Sequence, residues 1–139
     1  METLFSRTLE NGRDGFTTLL DAIEGFLAEQ YVPDKIAQRV MISCDEVISN
    51  ILNHAHIDGV PDISVRVAVT SENIAVEIID NGPEFDPLSV PAPDTSLPLE
   101  DRKIGGLGIY LVRELMDDVR YFYENDENHL QFNKIVPLL

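Results

Sequence analysis

The sequence predicts an α+β domain, a two-layer α/β sandwich with a mixed, mostly antiparallel sheet and three helices on one of its faces. Three observations predict it. Runs with an apolar residue at every second position and runs with one at every third or fourth position fall in separate blocks, in the order β-α-α-β-β-loop-α-β-β. Two pairs of the alternating runs are joined by three or four polar residues, the spacing of hairpins. The length, 139 residues, suits one domain that buries roughly two-thirds of its unfolded surface, so residues 1–139 are read as a single domain.

The elements follow in order. Leu4 to Leu9 is a short mixed segment read as the first strand. Asn11-Gly12-Arg13-Asp14-Gly15 makes a turn and a helix start. Phe16, Leu19, Leu20, Ile23, Phe26 and Leu27 then recur at spacings of three and four, an amphipathic helix. Val32-Pro33-Asp34 breaks it and caps a second helix from about Lys35 to Ala55, which stops near Asp58-Gly59-Val60-Pro61. Ile63 to Thr70 and Ile74 to Ile79 alternate around Ser71-Glu72-Asn73, a hairpin. Five of the eight prolines lie between Pro83 and Pro98, which predicts a long loop. Ile109, Val112, Leu115 and Met116 mark a third helix, and Val119 to Glu124 with His129 to Val136 close the chain as a hairpin around Asn125-Asp126-Glu127-Asn128.

Twenty-five acids against ten bases give a net charge of −15. Nucleic acid and anionic membranes need a basic patch and are poor partners for such a chain. No apolar run reaches the length of a membrane span, and Met1-Glu2-Thr3-Leu4-Phe5 does not resemble a leader, so the expected compartment is the cytoplasm. The single cysteine, Cys44, excludes an internal disulfide, and its place in an apolar helical pattern predicts a buried, inert thiol.

Three motifs carry chemistry. At 100° per residue, Glu46, Asn50 and Asn53 share an arc of about 60° on the second helix, opposite Val47, Ile48, Ile51, Leu52 and Ala55. An ionised glutamate can take a proton from an attacking hydroxyl, and an asparagine oxygen is a hard ligand for Mg²⁺. A solvated polar stripe would look the same. Asp80 ends an apolar strand and needs a hydrogen-bond partner there, for which the exocyclic amine of adenine would serve. Gly82 lets backbone approach a flat base, although Asp80-Asn81-Gly82-Pro83 could also be a turn held by its own side chains. Gly105-Gly106-Leu107-Gly108 opens the third helix, where free N–H groups can bind phosphate, or where close packing alone is required. It matches neither the P-loop nor the dinucleotide-binding fingerprint.

In this order, with the proline-rich loop between the second and third, the motifs resemble the N, G1 and G2 boxes of the Bergerat-fold, or histidine-kinase-like, ATPases. The likeness is strongest to a small stand-alone branch, the anti-sigma-factor serine kinases. Gly105-Gly106-Leu107-Gly108-Ile109-Tyr110-Leu111-Val112-Arg113-Glu114-Leu115-Met116-Asp117 is very like that branch, and so is Asp80-Asn81-Gly82-Pro83-x-Phe85-Asp86-Pro87. The resemblance covers about Leu4 to Val136.

What the resemblance implies is specific. ATP and Mg²⁺ are the cofactors, Glu46 the general base, and Asn50 the Mg²⁺ ligand with Asn53 beside it. Asp80 reads adenine with Gly82 next to the base. Gly105, Gly106, Leu107 and Gly108 surround the phosphates, the segment from Asp86 to Arg102 is the ATP lid, and Arg102 and Lys103 stand where a cation could meet the terminal phosphate. The implied activity is an ATP-dependent serine protein kinase whose substrate is a small antagonist protein of the anti-anti-sigma type. It would hold a sigma factor in some cases, and a homodimer is compatible with it. Two features depart from the pattern. Glu84 stands where the family has Gly or Pro, and the lid carries Asp94, Glu100 and Asp101 against Arg102 and Lys103. They leave a second expectation open, a weakly ATP-binding module that acts by sequestering its partner. A third, the detached catalytic domain of a histidine kinase, lacks any histidine that begins a long two-helix hairpin.

Overall fold

The computed structural model describes residues 2–54, 59–89 and 107–137. Ala55 and His56, most of the expected lid, Arg102, Lys103, Gly105 and Gly106 lie outside them. Five strands form one sheet in the order β1-β2-β3-β5-β4. These are β1 (Thr3–Thr8), β2 (Ile63–Val69), β3 (Asn73–Asp80), β4 (Asp118–Glu124) and β5 (Glu127–Ile135). The helices are α1 (Phe16–Glu29), α2 (Asp34–Asn53) and α3 (Leu107–Leu115), with single 3-10 turns at Gly12–Gly15 and Pro87–Ser89.

The expected element order stands. The sheet is not mixed, however: all four pairings are antiparallel. Two of them are local hairpins, which cannot be parallel, and β5 runs back between β3 and β4. The closing hairpin is also tighter than expected. Asn125 and Asp126 alone make the turn, both at positive φ (53° and 62°), as a two-residue hairpin of primed type requires. Glu127 and Asn128 therefore belong to β5 and not to the loop. In the β2–β3 turn the Thr70 hydroxyl accepts from the N–H groups of Glu72 (3.3 Å) and Asn73 (3.0 Å), so the turn carries its own side-chain cap.

The core lies between the sheet and the helices. Ile23 and Leu27 of α1, Val40, Cys44 and Ile48 of α2, and Val112 of α3 are fully buried against Ile63, Val65, Ile74 and Ile78. Each large aliphatic side chain sealed this way contributes about 1.5–3 kcal/mol. Helix α2 is the central element. Its buried stripe, from Ile36 to Leu52, recurs at three- and four-residue spacing. Glu46 and Asn50 are thereby left on the flank that meets α3 and the end of β3. Pro33 stands at the N-cap of α2, where its missing N–H costs nothing. The Arg13 guanidinium donates to the Leu52 carbonyl, one of the last carbonyls of α2, and so ties the chain ahead of α1 to the end of α2.

Candidate functional site

Three elements converge on one cavity of about 1110 Å³. α2 contributes Glu46, Asn50 and Asn53, the end of β3 contributes Asp80, Asn81 and Gly82, and the first turn of α3 contributes Gly108. Apart from Asn81, which is not among them, those are the expected site residues that the described segments contain, with Leu107, which opens α3, the remaining one. The structure thus brings the three motifs to one place. His54, the C-cap of α2, stacks on Phe85 at the rim, with ring centroids 5.2 Å apart and planes 30° apart. Val60, Pro61 and Ile109 line the wall.

Glycine lets a neighbouring carboxylate approach closely at two positions in the cavity. A Cβ at Gly108 would run into the Glu46 carboxylate, so that carboxylate lies against the N-terminal turn of α3. The partial positive charge of a helix start favours an anion there. A Cβ at Gly82 would stand 3.0 Å from Asp80 Oδ1 and 3.7 Å from Pro61. The hydrogen bond from the Gly82 N–H to Oδ1 (2.9 Å) depends on that close approach. Beneath it, Asn81 and Asp62 pair reciprocally: the Asp62 N–H donates to Asn81 Oδ1 (2.8 Å) and Asn81 Nδ2 donates to Asp62 Oδ2 (3.2 Å). This pair fastens the start of β2 to the end of β3, so the turn that carries Gly82 starts from a fixed point.

Asp80 is 8% exposed. Burial raises its carboxyl above the ordinary range, and hydrogen bonds from the Gly82 N–H and the Asn128 amide oppose the shift. Both bonds end on Oδ1. Among the described residues none donates to Oδ2. Cys44 is fully buried on the far side of α2, and burial, helped by Asp45, pushes its thiol up to about 12. That agrees with the inert thiol expected for it.

The electrostatic character of the cavity was not visible in the motifs. Four carboxylates line it, those of Glu46, Asp62, Asp80 and Asp126, and among the described residues no Lys or Arg does. Glu84, expected to add charge at the site, is exposed and does not line the cavity. Its charge is felt by Tyr121, whose hydroxyl is raised by burial first and by the carboxylates of Glu84, Asp86 and Asp80 after it. No cluster of three or more His, Cys, Asp or Glu side chains suited to a metal occurs among the described residues. Asn50 offers a hard, neutral side-chain oxygen on an open wall. That donor fits Mg²⁺, which keeps several waters and takes few protein ligands.

Sequence reasoning missed Asn128 and Tyr121. The sequence puts Asn128 in the closing turn, yet it is 6% exposed and faces Asp80 across the β3–β5 ladder. A signal existed: stepping back by two from the core residues Phe132 and Leu130 lands on Asn128, so alternation places it on the inner face. A polar side chain there needs partners.

Comparison with known proteins identifies the family of this fold. The histidine kinase-like ATPase domain family matches residues 13–134. The chain is 32% identical over 90 residues to the serine/threonine-protein kinase BtrW of Bordetella bronchiseptica, covering 64% of this chain and 63% of that protein. It is 31% identical over 87 residues to the serine-protein kinase RsbW of Bacillus cereus, covering 60% of this chain and 54% of that one. The match therefore spans between half and two-thirds of the length of these curated relatives. In three dimensions it resembles the crystal structure of the RsbU and RsbW domains of a Mycobacterium tuberculosis protein. The TM-score is 0.68 at 15% identity, over 97% of this chain and 33% of that one, and the likeness is one of fold.

Proposed function

Because this chain belongs to the histidine kinase-like ATPase family, we propose that the cavity binds MgATP and that the protein is an ATP-dependent serine protein kinase. Its acceptor would be a small antagonist protein, in an anti-sigma-type regulatory system. The observation that carries the reading is the meeting of Glu46, Asn50, Asp80, Gly82 and Gly108 at one cavity from three separate elements. A solvated polar stripe on α2 would have no reason to face the buried Asp80. The curated relatives named as serine kinases support the reaction class.

The roles follow from position. Asp80 Oδ2 accepts from the exocyclic amine of adenine, and Gly82 leaves room for the plane of the base. Asn50, with Asn53 a turn further on, lines the cavity and would hold Mg²⁺ through its side-chain oxygen. Such a metal would supply charge neutralisation for the phosphates. In a cavity walled by carboxylates that neutralisation is a requirement for binding. Glu46 accepts the proton of the attacking serine hydroxyl, its carboxylate held in place by the first turn of α3. The N–H groups at the start of α3 face the phosphates.

Isothermal titration with MgATP tests the site. Heat is expected for the wild type, none for Asp80→Asn, and a loss of the Mg²⁺-dependent part for Asn50→Ala. Glu46→Gln should bind nucleotide and fail to transfer phosphate to the acceptor. The acid-lined wall favours one second reading, a partner-sequestering module that binds ATP weakly or not at all. A wild-type trace as flat as that of Asp80→Asn at millimolar nucleotide would establish it in place of the first.

A further inference from the structure

Asn128 makes more hydrogen bonds than any other side chain bordering the cavity. Its Nδ2 lies 3.1 Å from Asp80 Oδ1, 3.2 Å from the Gly82 carbonyl and 3.0 Å from the Pro83 carbonyl. Its Oδ1 accepts from the Phe85 N–H at 3.0 Å and from the Tyr121 hydroxyl at 2.5 Å. The orientation of the amide is fixed by its partners. A backbone N–H can only donate, so the oxygen must face Phe85, and carbonyls can only accept, so the NH₂ must face Gly82 and Pro83. Every polar atom of the side chain is thus engaged by the protein itself.

We propose that Asn128, buttressed by Tyr121, is a positioning residue for base recognition: it occupies Asp80 Oδ1 and pins the turn from Gly82 to Phe85, so that Oδ2 alone is presented to the nucleobase. The inference rests on the reading of the cavity as an ATP site. The geometry carries it in two ways. A carboxylate whose Oδ1 is bound on both sides cannot rotate about its Cβ–Cγ bond without losing two hydrogen bonds. An asparagine with no free donor cannot offer one to the oxygen that guanine carries where adenine has its amine. The site then selects a 6-amino purine through an acceptor held still, and it rejects a 6-oxo purine for want of a donor. Tyr121 acts behind Asn128: its hydroxyl holds the amide oxygen. Direction of the Asp80 charge agrees with this arrangement, since the Asn128 bond favours the ionised, accepting form.

The test is a cycle between the side chain and the amine it is said to serve. Titrate the wild type, Asn128→Ala and Tyr121→Phe with MgATP and with the Mg²⁺ complex of purine riboside triphosphate, which is ATP without its 6-amino group. The wild type should prefer ATP by on the order of tenfold or more, the worth of a hydrogen bond to a charged acceptor. In Asn128→Ala that preference should shrink to within about threefold, and in Tyr121→Phe it should fall between the two. A general loss of packing would weaken both nucleotides equally and leave the preference unchanged. An unchanged preference in a folded Asn128→Ala would overturn the assignment. If Asn128→Ala does not fold, a wild-type preference in Tyr121→Phe, which removes one hydroxyl only, overturns it. Absence of binding to the wild type would overturn the ATP reading together with this inference, whereas binding with no ATP preference would overturn this inference alone.

Discussion

Replacing Gly108 by alanine should make the protein more stable and less active at once. Gly108 is the second residue of α3, so the new methyl group restricts the unfolded chain and suits the helix, a gain of about 0.5–1 kcal/mol. For a chain of this size that is a rise in Tm of about 2–4 °C. The methyl would, however, occupy the place of the Glu46 carboxylate. The obstacle is the end of a flexible side chain and not backbone, so the collision is relieved by moving Glu46. A displacement on the order of 1 Å is enough to take a general base out of line, and misplacements of that size cost roughly a hundredfold in rate. The expected result is turnover of MgATP reduced by about a hundredfold in single-turnover release of labelled phosphate, with a smaller change in MgATP affinity. Thermal melting followed by circular dichroism reads the stability arm. Wild-type turnover in a variant whose Tm has risen would show that the position of the Glu46 carboxylate does not matter, and would remove it as the base.

Three further outcomes are expected. Ser43 is fully buried on α2 with no partner for its hydroxyl among the described residues, so Ser43→Ala should stabilise the protein by about 1 kcal/mol in urea unfolding, and a loss of stability would mean that the hydroxyl is bonded in the folded protein. Burial raises the carboxyl of Asp80, so the native state keeps that proton to higher pH than the unfolded chain does. The stability of the wild type relative to Asp80→Asn should therefore fall as pH rises from the ordinary Asp range, near 3.8, through the raised folded value, and a flat difference between pH 3.5 and 7 would contradict the shift. Cys44, with its thiol near 12 and no exposure, should react with a thiol reagent at pH 8 only as fast as the protein opens, so addition of urea should set the rate and a fast reaction in buffer would contradict its burial.

Much of the site could be read from the chain because its parts are local. The 100° period of α2 places Glu46 and Asn50 on one flank, whatever the helix packs on. A carboxylate that ends an apolar strand, as Asp80 does, is conspicuous without any tertiary contact. What could not be read depends on pairing across the sheet. Asn128 and Asp80 are 48 residues apart, and only the register of β3 with β5 makes them neighbours. The acid wall is hidden for the same reason, since Asp62 and Asp126 arrive from the ends of different strands. The mixed sheet was an error of topology: periodicity gives the strands but not their directions, and those are decided by where β5 inserts.

That insertion has a consequence for how the molecule comes into being. β5, the last strand among the described residues, lies inside the sheet, between β3 and β4, and not at its edge. Asp80 lacks its cross-strand neighbour until β5 is in place beside β3. The cavity is therefore complete only once β5 is in place. Any ligand that recognises the completed cavity draws the equilibrium toward the fully assembled sheet, so occupancy of the site and integrity of the fold are the same event seen from two sides.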